Sequence, residues 1–78
     1  MNLATQPAWL SAQLNSSNLA TASYDVWSCT LEIRFRNGRV YEYFAVPPGI
    51  YDGLLAADSA GKFHHLQIKN RFQYHRTL

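Results

Sequence analysis

Alternating apolar and polar residues predict a β-rich first half of the chain. Between residues 31 and 36 every second side chain is apolar: Leu31, Ile33 and Phe35. This period-two pattern is typical of a half-buried strand. Residues 19–26 predict a strand before it, and residues 40–46 predict a strand that returns after Asn37-Gly38. The three runs together indicate an antiparallel meander of about three strands.

Helical patterns follow these strands. Pro47 and Pro48 end the third strand and suit the first turn of a helix, where a missing N–H costs nothing. That helix carries a wide apolar stripe, formed by Ile50, Tyr51, Leu54, Leu55 and Ala57. Ser59 can cap a second short helix over residues 60–67. The predicted fold class is therefore α+β: a small antiparallel meander followed by two short helices and a basic, extended C-terminal tail.

Residues 1–14 are predicted to form an N-terminal appendage to a single domain that spans residues 15–78. Pro7 can occupy the first turn of a short helix in which Leu10 and Leu14 share a face. Trp9 is too large to leave in water without a reason. The segment either packs this indole onto the domain or offers it to a partner, because an exposed apolar patch usually marks an interface.

The Asn37-Gly38 turn admits two registers, which place Tyr41 and Tyr43 on opposite faces of the sheet. The simplest Asn-Gly hairpin has a two-residue type I′ loop. That loop would put both tyrosines on one face with three arginines, Arg34, Arg36 and Arg39. Such a basic and aromatic surface can stack bases and neutralise phosphates. The same register would direct Glu42 into the core.

A three-residue loop over residues 36–38 shifts the pairing by one residue and reverses the face of every side chain. Gly38 would then be left-handed and Glu42 would point to solvent. The predicted cross-strand pairs are Ile33 with Tyr41 and Leu31 with Tyr43. Because burying an unpaired carboxylate is costly, we favour this register. It makes the tyrosines core residues with hydroxyls near the core's edge, and it gives them no part in binding.

Length and cysteine content narrow the class of protein. A chain of 78 residues makes one domain, and its four Phe, five Tyr and two Trp supply the bulk that so small a core needs. Cys29 is the single cysteine, so no internal disulfide can form and a reducing, cytoplasmic setting is expected. The N-terminus lacks the pattern of a secretory signal, and no apolar run approaches the roughly 18 residues that span a bilayer. We therefore expect no membrane partner.

The charge is unevenly placed along the chain. Residues 1–58 hold three arginines and five acids, whereas residues 59–78 hold four cations and no acid: Lys62, Lys69, Arg71 and Arg76. Phe72 and Tyr74 lie between those cations. This asymmetry indicates an anionic partner, although a small domain also needs solvated charges for solubility.

Catalytic and metal sites are not indicated by any spacing in the chain. His64 and His65 are adjacent and would point about 100° apart on a helix, so they suit a shared ion poorly and are expected to be partly exposed. Cys29 has no neighbour in sequence that would lower its pKa, and Ser59 is assigned to capping. We therefore expect no enzyme activity, no metal and no cofactor.

Three stretches of the chain resemble the KTSC domain, a family named for the C-terminus of some lysyl-tRNA synthetases. The stretches are SNLATASYD, TLEIRFRNGRVYEYFAVPPGIYDGLLAADSAGKF and IKNRFQY, and the resemblance covers about residues 16–76. Its specific features are the ordered set Tyr41-x-Tyr43, Val46-Pro47-Pro48, Tyr51, Ala57-x-Ser59-x-Gly61 and the aromatic-basic end. After Phe63 the resemblance implies an apolar residue and then asparagine, but this chain has His64-His65. Because the family's domain is attached to some lysyl-tRNA synthetases, the resemblance suggests RNA as a ligand.

Two hypotheses for function follow. In the first, a non-catalytic domain binds RNA, transfer RNA or another single strand weakly and with little sequence preference. Its candidate phosphate-binding residues are Lys62, Lys69, Arg71 and Arg76, with Arg34, Arg39, Tyr41 and Tyr43 dependent on the register. In the second, Trp9, Leu10 and the sheet edge bind another protein or a second copy of the chain.

Overall fold

A computed structural model describes residues 9–78, which form an antiparallel sheet with helices on one face. The five strands follow one another in the order of the chain: β1 (Trp9–Gln13), β2 (Leu19–Asp25), β3 (Thr30–Phe35), β4 (Val40–Tyr43) and β5 (Tyr74–Arg76). Between β4 and β5 come α1 (Pro48–Ala56), α2 (Ala60–Phe63) and a π-helix (His64–Ile68) that continues α2. The α+β class is confirmed, but the expectation of about three strands is wrong.

One of the two additional strands is β1, where the sequence suggested a helix. Leu10 and Leu14 share a face in a helix, at i, i+4, and also in a strand, where Ala12 joins them at a spacing of two residues. Pairing with β2 decides in favour of the strand. The prediction of a short helix is therefore wrong for residues 9–13. The rest of that predicted helix, including Pro7, lies outside the described residues.

The other additional strand is β5, formed by the tail. Tyr74 pairs with Tyr43, and Arg76 with Tyr41, so the tail completes the edge of the sheet that β4 would otherwise expose. The prediction that the tail lies extended along the domain is confirmed for residues 74–76. Its three-residue strand is too short to show an alternating pattern of its own.

The β3–β4 hairpin has the three-residue loop. Ile33 pairs with Tyr41 and Leu31 with Tyr43, as predicted for that register. The Phe35 N–H donates to the Arg39 carbonyl over 2.8 Å, and Gly38 has a φ of +91°, in the left-handed region that favours glycine. Glu42 consequently lies on the face of the sheet away from the helices, and the core contains no carboxylate from this hairpin.

The core lies between the sheet and the helical segment. Its fully buried side chains are Leu19, Ala22, Tyr24, Leu31, Ile33, Val46, Leu54 and Ile68. Tyr24 of β2 stacks on Tyr51 of α1 with ring centroids 5.4 Å apart, and its hydroxyl donates to the Val46 carbonyl. Burial raises the pKa of Tyr24 to about 12, so the phenol stays a donor throughout the neutral range. α1 is thereby fixed over β2, toward the edge of the sheet that β1 forms.

Short helical pieces carry the chain from α1 back to the sheet. The Ser59 hydroxyl accepts from the Lys62 N–H over 3.1 Å, which confirms the predicted cap of α2. Asn70 follows the π-helix in a left-handed conformation with a φ of 64°, and this turn starts the tail toward β5. None of the helices within residues 9–78 has both the length and the apolar composition to cross a bilayer.

Gly53 permits the close packing of α2 on α1. A Cβ at this position would lie 2.7 Å from Phe63 Cζ, whereas a Cβ at Gly49 would meet nothing within 4 Å. Gly49→Ala is therefore expected to stabilise the domain by up to about 1 kcal/mol through helix propensity. For Gly53→Ala the displaced ring outweighs that gain, and we expect a net loss of about 1 kcal/mol.

Urea denaturation of the two alanine variants beside the parent chain measures both free energies of unfolding. The paired design separates packing from propensity, because both glycines lie in α1 and undergo the same substitution. If Gly53→Ala proved as stable as Gly49→Ala, the ring of Phe63 would not be constrained by the glycine.

Candidate functional site

A cleft of about 330 Å³ opens on the helix-bearing face of the sheet, near the edge that β4 and β5 form. Twelve residues line it: Asn18, Phe35, Asn37, Arg39, Tyr41, Tyr43, Gly61, His64, His65, Lys69, Asn70 and Tyr74. The lining combines aromatic rings, side-chain amides and cations, and it contains no carboxylate. The cleft exists because α1 packs over β2 and leaves the far end of this face less covered.

Three tyrosines form the wall of the cleft on the sheet side. Tyr41 and Tyr43 are neighbours on β4 with ring centroids 6.3 Å apart, and Tyr74 of β5 lies 5.6 Å from Tyr41 and 6.0 Å from Tyr43. Tyr43 is buried, Tyr41 is half-buried, and 55% of the Tyr74 surface is exposed. Tyr41 and Tyr74 therefore present ring surface to a ligand, and Tyr43 supports them from below.

His64 forms the floor of the cleft and is held by Tyr43. The Tyr43 hydroxyl and His64 Nε2 lie 2.8 Å apart in a buried hydrogen bond, and Phe35 contacts the imidazole edge-on at 5.4 Å. The expectation that His64 is partly exposed is wrong, since it lies on the inner side of the π-helix. His65, the next residue, is exposed as expected.

Both partners of this hydrogen bond are neutral near pH 7. Burial lowers the pKa of His64 to about 4, and the positive charge of Lys69 adds to the effect. Burial also raises the pKa of Tyr43 to about 12. The floor of the cleft therefore carries no charge at neutral pH, and the fixed positive charge of the lining comes from Arg39 and Lys69.

Arg39 and Lys69 differ from three of the other cations in having no partner within residues 9–78. Arg36, Arg71 and Arg76 donate to backbone carbonyls at 2.7, 2.8 and 2.9 Å through Nε. Within residues 9–78, by contrast, neither the Arg39 guanidinium nor the Lys69 ammonium has a hydrogen-bond or ion-pair partner. These two charges are available to an anion at the mouth of the cleft.

The structure divides the remaining candidate residues between several surfaces. Arg34 pairs with Val40 and lies on the opposite face of the sheet from Tyr41. Lys62 is exposed in α2, outside the cleft lining. Arg71 belongs to a shallow groove that shares Asn70 and Tyr74 with the cleft. Arg76 of β5 pairs with Tyr41 of β4.

The place of Tyr41 and Tyr43 corrects one inference from the sequence. The three-residue loop was expected to take both tyrosines out of any binding surface. The loop is present, but the face it turns them toward is only partly covered, so they line the cleft. Eight of the twelve lining residues were not among the candidates: Asn18, Phe35, Asn37, Gly61, His64, His65, Asn70 and Tyr74. Of the three asparagines, Asn37 belongs to the Asn37-Gly38 turn that the sequence already indicated.

Metal ligands are not clustered in the part of the chain that the structure describes. Within residues 9–78 no three His, Cys, Asp or Glu side chains lie close enough to hold one ion. His64 is engaged with Tyr43, and Cys29, a free thiol, is half-buried beside the core.

Exposed apolar residues mark a second surface, on the outer strand β1. Trp9 and Leu10 are 40% and 51% exposed, and Trp27, just beyond the end of β2, is 74% exposed. Trp9 pairs with Asp25 and Leu10 with Tyr24, so the two side chains lie on opposite faces of the sheet at its β1 edge, near the end of β2 that leads to Trp27. β1 carries no charged residue and no proline, the features that usually protect an edge strand.

Comparison with known proteins identifies the family. The KTSC domain family model matches residues 15–72. The chain belongs to the KTSC domain family. A crystal structure of a KTSC domain protein from Yersinia pestis superimposes with a TM-score of 0.84 at 30% identity, over 91% of this chain and all of that one.

Relatives of this KTSC chain occur alone and within a larger enzyme. A protein of Tsukamurella paurometabola is 42% identical over 60 residues, 77% of this chain and 90% of the relative. An uncharacterised protein of Stutzerimonas stutzeri is 39% identical over 64 residues, 81% of this chain and 90% of the relative. Lysine–tRNA ligase of Nostoc punctiforme is 42% identical over 52 residues, 67% of this chain but only 9% of the ligase.

Proposed function

We propose that this KTSC domain binds single-stranded RNA, or another single-stranded nucleic acid, weakly in the cleft and without catalysing a reaction. One observation carries the proposal: exposed tyrosine rings and two unpartnered cations share a lining without a carboxylate. Proteins that bind single strands combine these two elements, because rings stack bases while cations neutralise the backbone. A base stacked on an aromatic side chain contributes about 1–3 kcal/mol, which suits a weak site of this size.

The dimensions of the cleft favour a single strand over a duplex. Its 330 Å³ lies at the lower end of the volumes of small-molecule pockets, so it can admit a base and its sugar but no helix. Arg71, in the adjoining groove, lies where a neighbouring phosphate would pass. The similarity to a segment of lysine–tRNA ligase makes RNA, including transfer RNA, the first ligand to test.

Fluorescence anisotropy with a labelled uridine heptamer and with transfer RNA tests the proposal. Arg39 and Lys69 would neutralise two phosphates, and each contact on a single strand contributes about −0.7 to the log–log salt slope. We therefore expect a slope near −1.4 between about 50 and 200 mM salt, and a steeper one if Arg71 also takes part. No binding at the lower salt would refute the proposal.

The β1 surface is the second candidate, as an interface for another protein or a second copy of this chain. It is supported by the exposed Trp9 and Leu10 on a strand without charge. A mass that rises with concentration in analytical ultracentrifugation, and returns to that of one chain in Trp9→Ala, would favour it.

A further inference from the structure

Two asparagine side chains in the cleft have their carbonyl oxygens occupied by the protein itself. Asn37 Oδ1 accepts from the Arg39 N–H over 3.0 Å. The Ser16 hydroxyl accepts from the N–H groups of Asn18 and Leu19, so its hydrogen is donated to Asn18 Oδ1 over 3.0 Å. These bonds fix the orientation of both amides. Each Nδ2 group remains as a donor, and within residues 9–78 neither has an acceptor.

The backbone segments that carry the two amides lie side by side. The Asn18 backbone carbonyl accepts from the Arg36 N–H over 2.9 Å, and Arg36 directly precedes Asn37 in the loop. Together with Arg39 and Lys69, this part of the lining presents donors to a ligand. A ligand acceptor can exchange its hydrogen bonds to water for bonds to these groups, whereas a ligand donor at the same place would meet other donors.

Nucleobases differ in this respect at one exocyclic position. Guanine O6 and the O4 of thymine or uracil are acceptors, whereas adenine N6 and cytosine N4 are amino donors. Asparagine ordinarily reads adenine with both ends of its amide, donating to N7 and accepting from N6. At Asn18 and Asn37 the carbonyl oxygen already accepts one hydrogen bond from the protein, which holds each amide with its Nδ2 group free to donate and leaves the oxygen less available to an amino group.

We propose that the cleft holds one unpaired base and selects a keto base, guanine or uracil, over an amino base. The base would stack on the exposed rings of Tyr41 and Tyr74, its keto oxygen would accept from the Asn18 and Asn37 amides, and its phosphate would meet Arg39 or Lys69. This inference rests on the proposed function and adds a chemical preference at one nucleotide of the strand.

Matched ligands test the preference. We expect a uridine heptamer to bind roughly two- to tenfold more tightly than a cytidine heptamer, the range that one net hydrogen bond produces. Inosine 5′-monophosphate should likewise shift the side-chain amide NMR signals of Asn18 and Asn37 at lower concentration than adenosine 5′-monophosphate. The two ligands of this second pair differ at the C6 substituent and at the adjacent N1, which carries a hydrogen in inosine and none in adenosine.

The substitution Asn37→Asp reverses the chemistry at one position. It keeps Oδ1 as the acceptor for the Arg39 N–H and replaces the NH₂ donor by an acceptor. The affinity ratio of uridine to cytidine should fall to one or below, and because both ligands meet the same added charge, the ratio isolates the hydrogen bond. Asn15→Asp, an exposed position outside the cleft lining, adds the same charge and should keep the ratio of the parent chain.

The outcomes separate this inference from the proposed function. Heptamers that bind with equal affinity, in the parent chain and in Asn37→Asp alike, would overturn the keto preference and leave RNA binding intact. Absence of binding by every heptamer would overturn both. A preference for cytidine in the parent chain would show that the amides present acceptors to the ligand.

Discussion

Replacing Arg39 and Lys69 together by glutamate is expected to weaken the binding of single-stranded RNA by about a hundredfold. A hydrogen bond to a charged group contributes about 1.5–3 kcal/mol, so each reversal should cost about tenfold or more. The salt slope should flatten by about 1.4 at the same time, because two phosphate contacts disappear. The fold should be unaffected, since neither side chain has a partner within residues 9–78.

A matched double variant separates the cleft from net charge. Arg34→Glu with Lys62→Glu changes the charge by the same amount, but Arg34 lies on the opposite face of the sheet and Lys62 lies outside the cleft lining. Neither reversal removes a cation from the cleft lining, and exposed charges away from the ligand are partly screened by salt, so we expect less than about a threefold loss. Equal losses in the two double variants would mean that affinity follows net charge and not the cleft.

The stability of the domain is expected to fall by up to about 3 kcal/mol as the pH drops from 7 to 4, on account of His64 alone. Burial lowers its pKa to about 4 in the folded state, while the usual value of 6.5 applies to the unfolded chain. Between those two values the unfolded chain binds the extra proton. The contribution of His64 to the free energy of unfolding is therefore complete above pH 6.5. It is lost as the pH falls toward 4 and changes little below that.

Two glutamine variants isolate this effect from the carboxylates that also titrate in acid. His64→Gln cannot take up the proton but can still bond to the Tyr43 hydroxyl, so the difference in unfolding free energy between pH 7 and pH 4.5 should shrink. His65→Gln, at the exposed neighbouring position, should keep most of the pH dependence of the parent chain, because the His65 charge is the smallest of the three causes that lower the pKa of His64. Urea denaturation at both pH values measures all three chains, and an unchanged difference in His64→Gln would show that His64 titrates normally.

The register of the β3–β4 hairpin was predictable from the sequence because one charge decided it. Glu42 would enter the core in the two-residue loop and leaves it in the three-residue loop, and the cost of burying a carboxylate is large. The outer strands were harder to predict. Leu10 and Leu14 share a face in a helix and in a strand alike, and the pairing of residues 9–13 with β2 settles the choice.

The cleft was less predictable than the hairpin, because it depends on how far the helices extend over the sheet. The alternating pattern tells which face Tyr41 and Tyr43 occupy, but not whether α1 covers that face at β4. Tyr74 joins them through β5, whose partner strand is about thirty residues away in the sequence. Lys69 was a candidate because of its charge alone. The burial of His64 arises from the π-helix, which no local pattern in the sequence indicated.

Chemical-shift mapping of the ¹⁵N-labelled domain with a uridine heptamer tests most directly whether the cleft is the nucleic-acid site. Binding there should shift the backbone amides of Asn37, Arg39 and Asn70, which line the cleft, and leave those of Thr21 and Glu32 unchanged. Thr21 and Glu32 serve as the control because their side chains lie on the other face of the sheet. Shifts confined to that face or to β1, or no shifts at all, would contradict the assignment of the cleft.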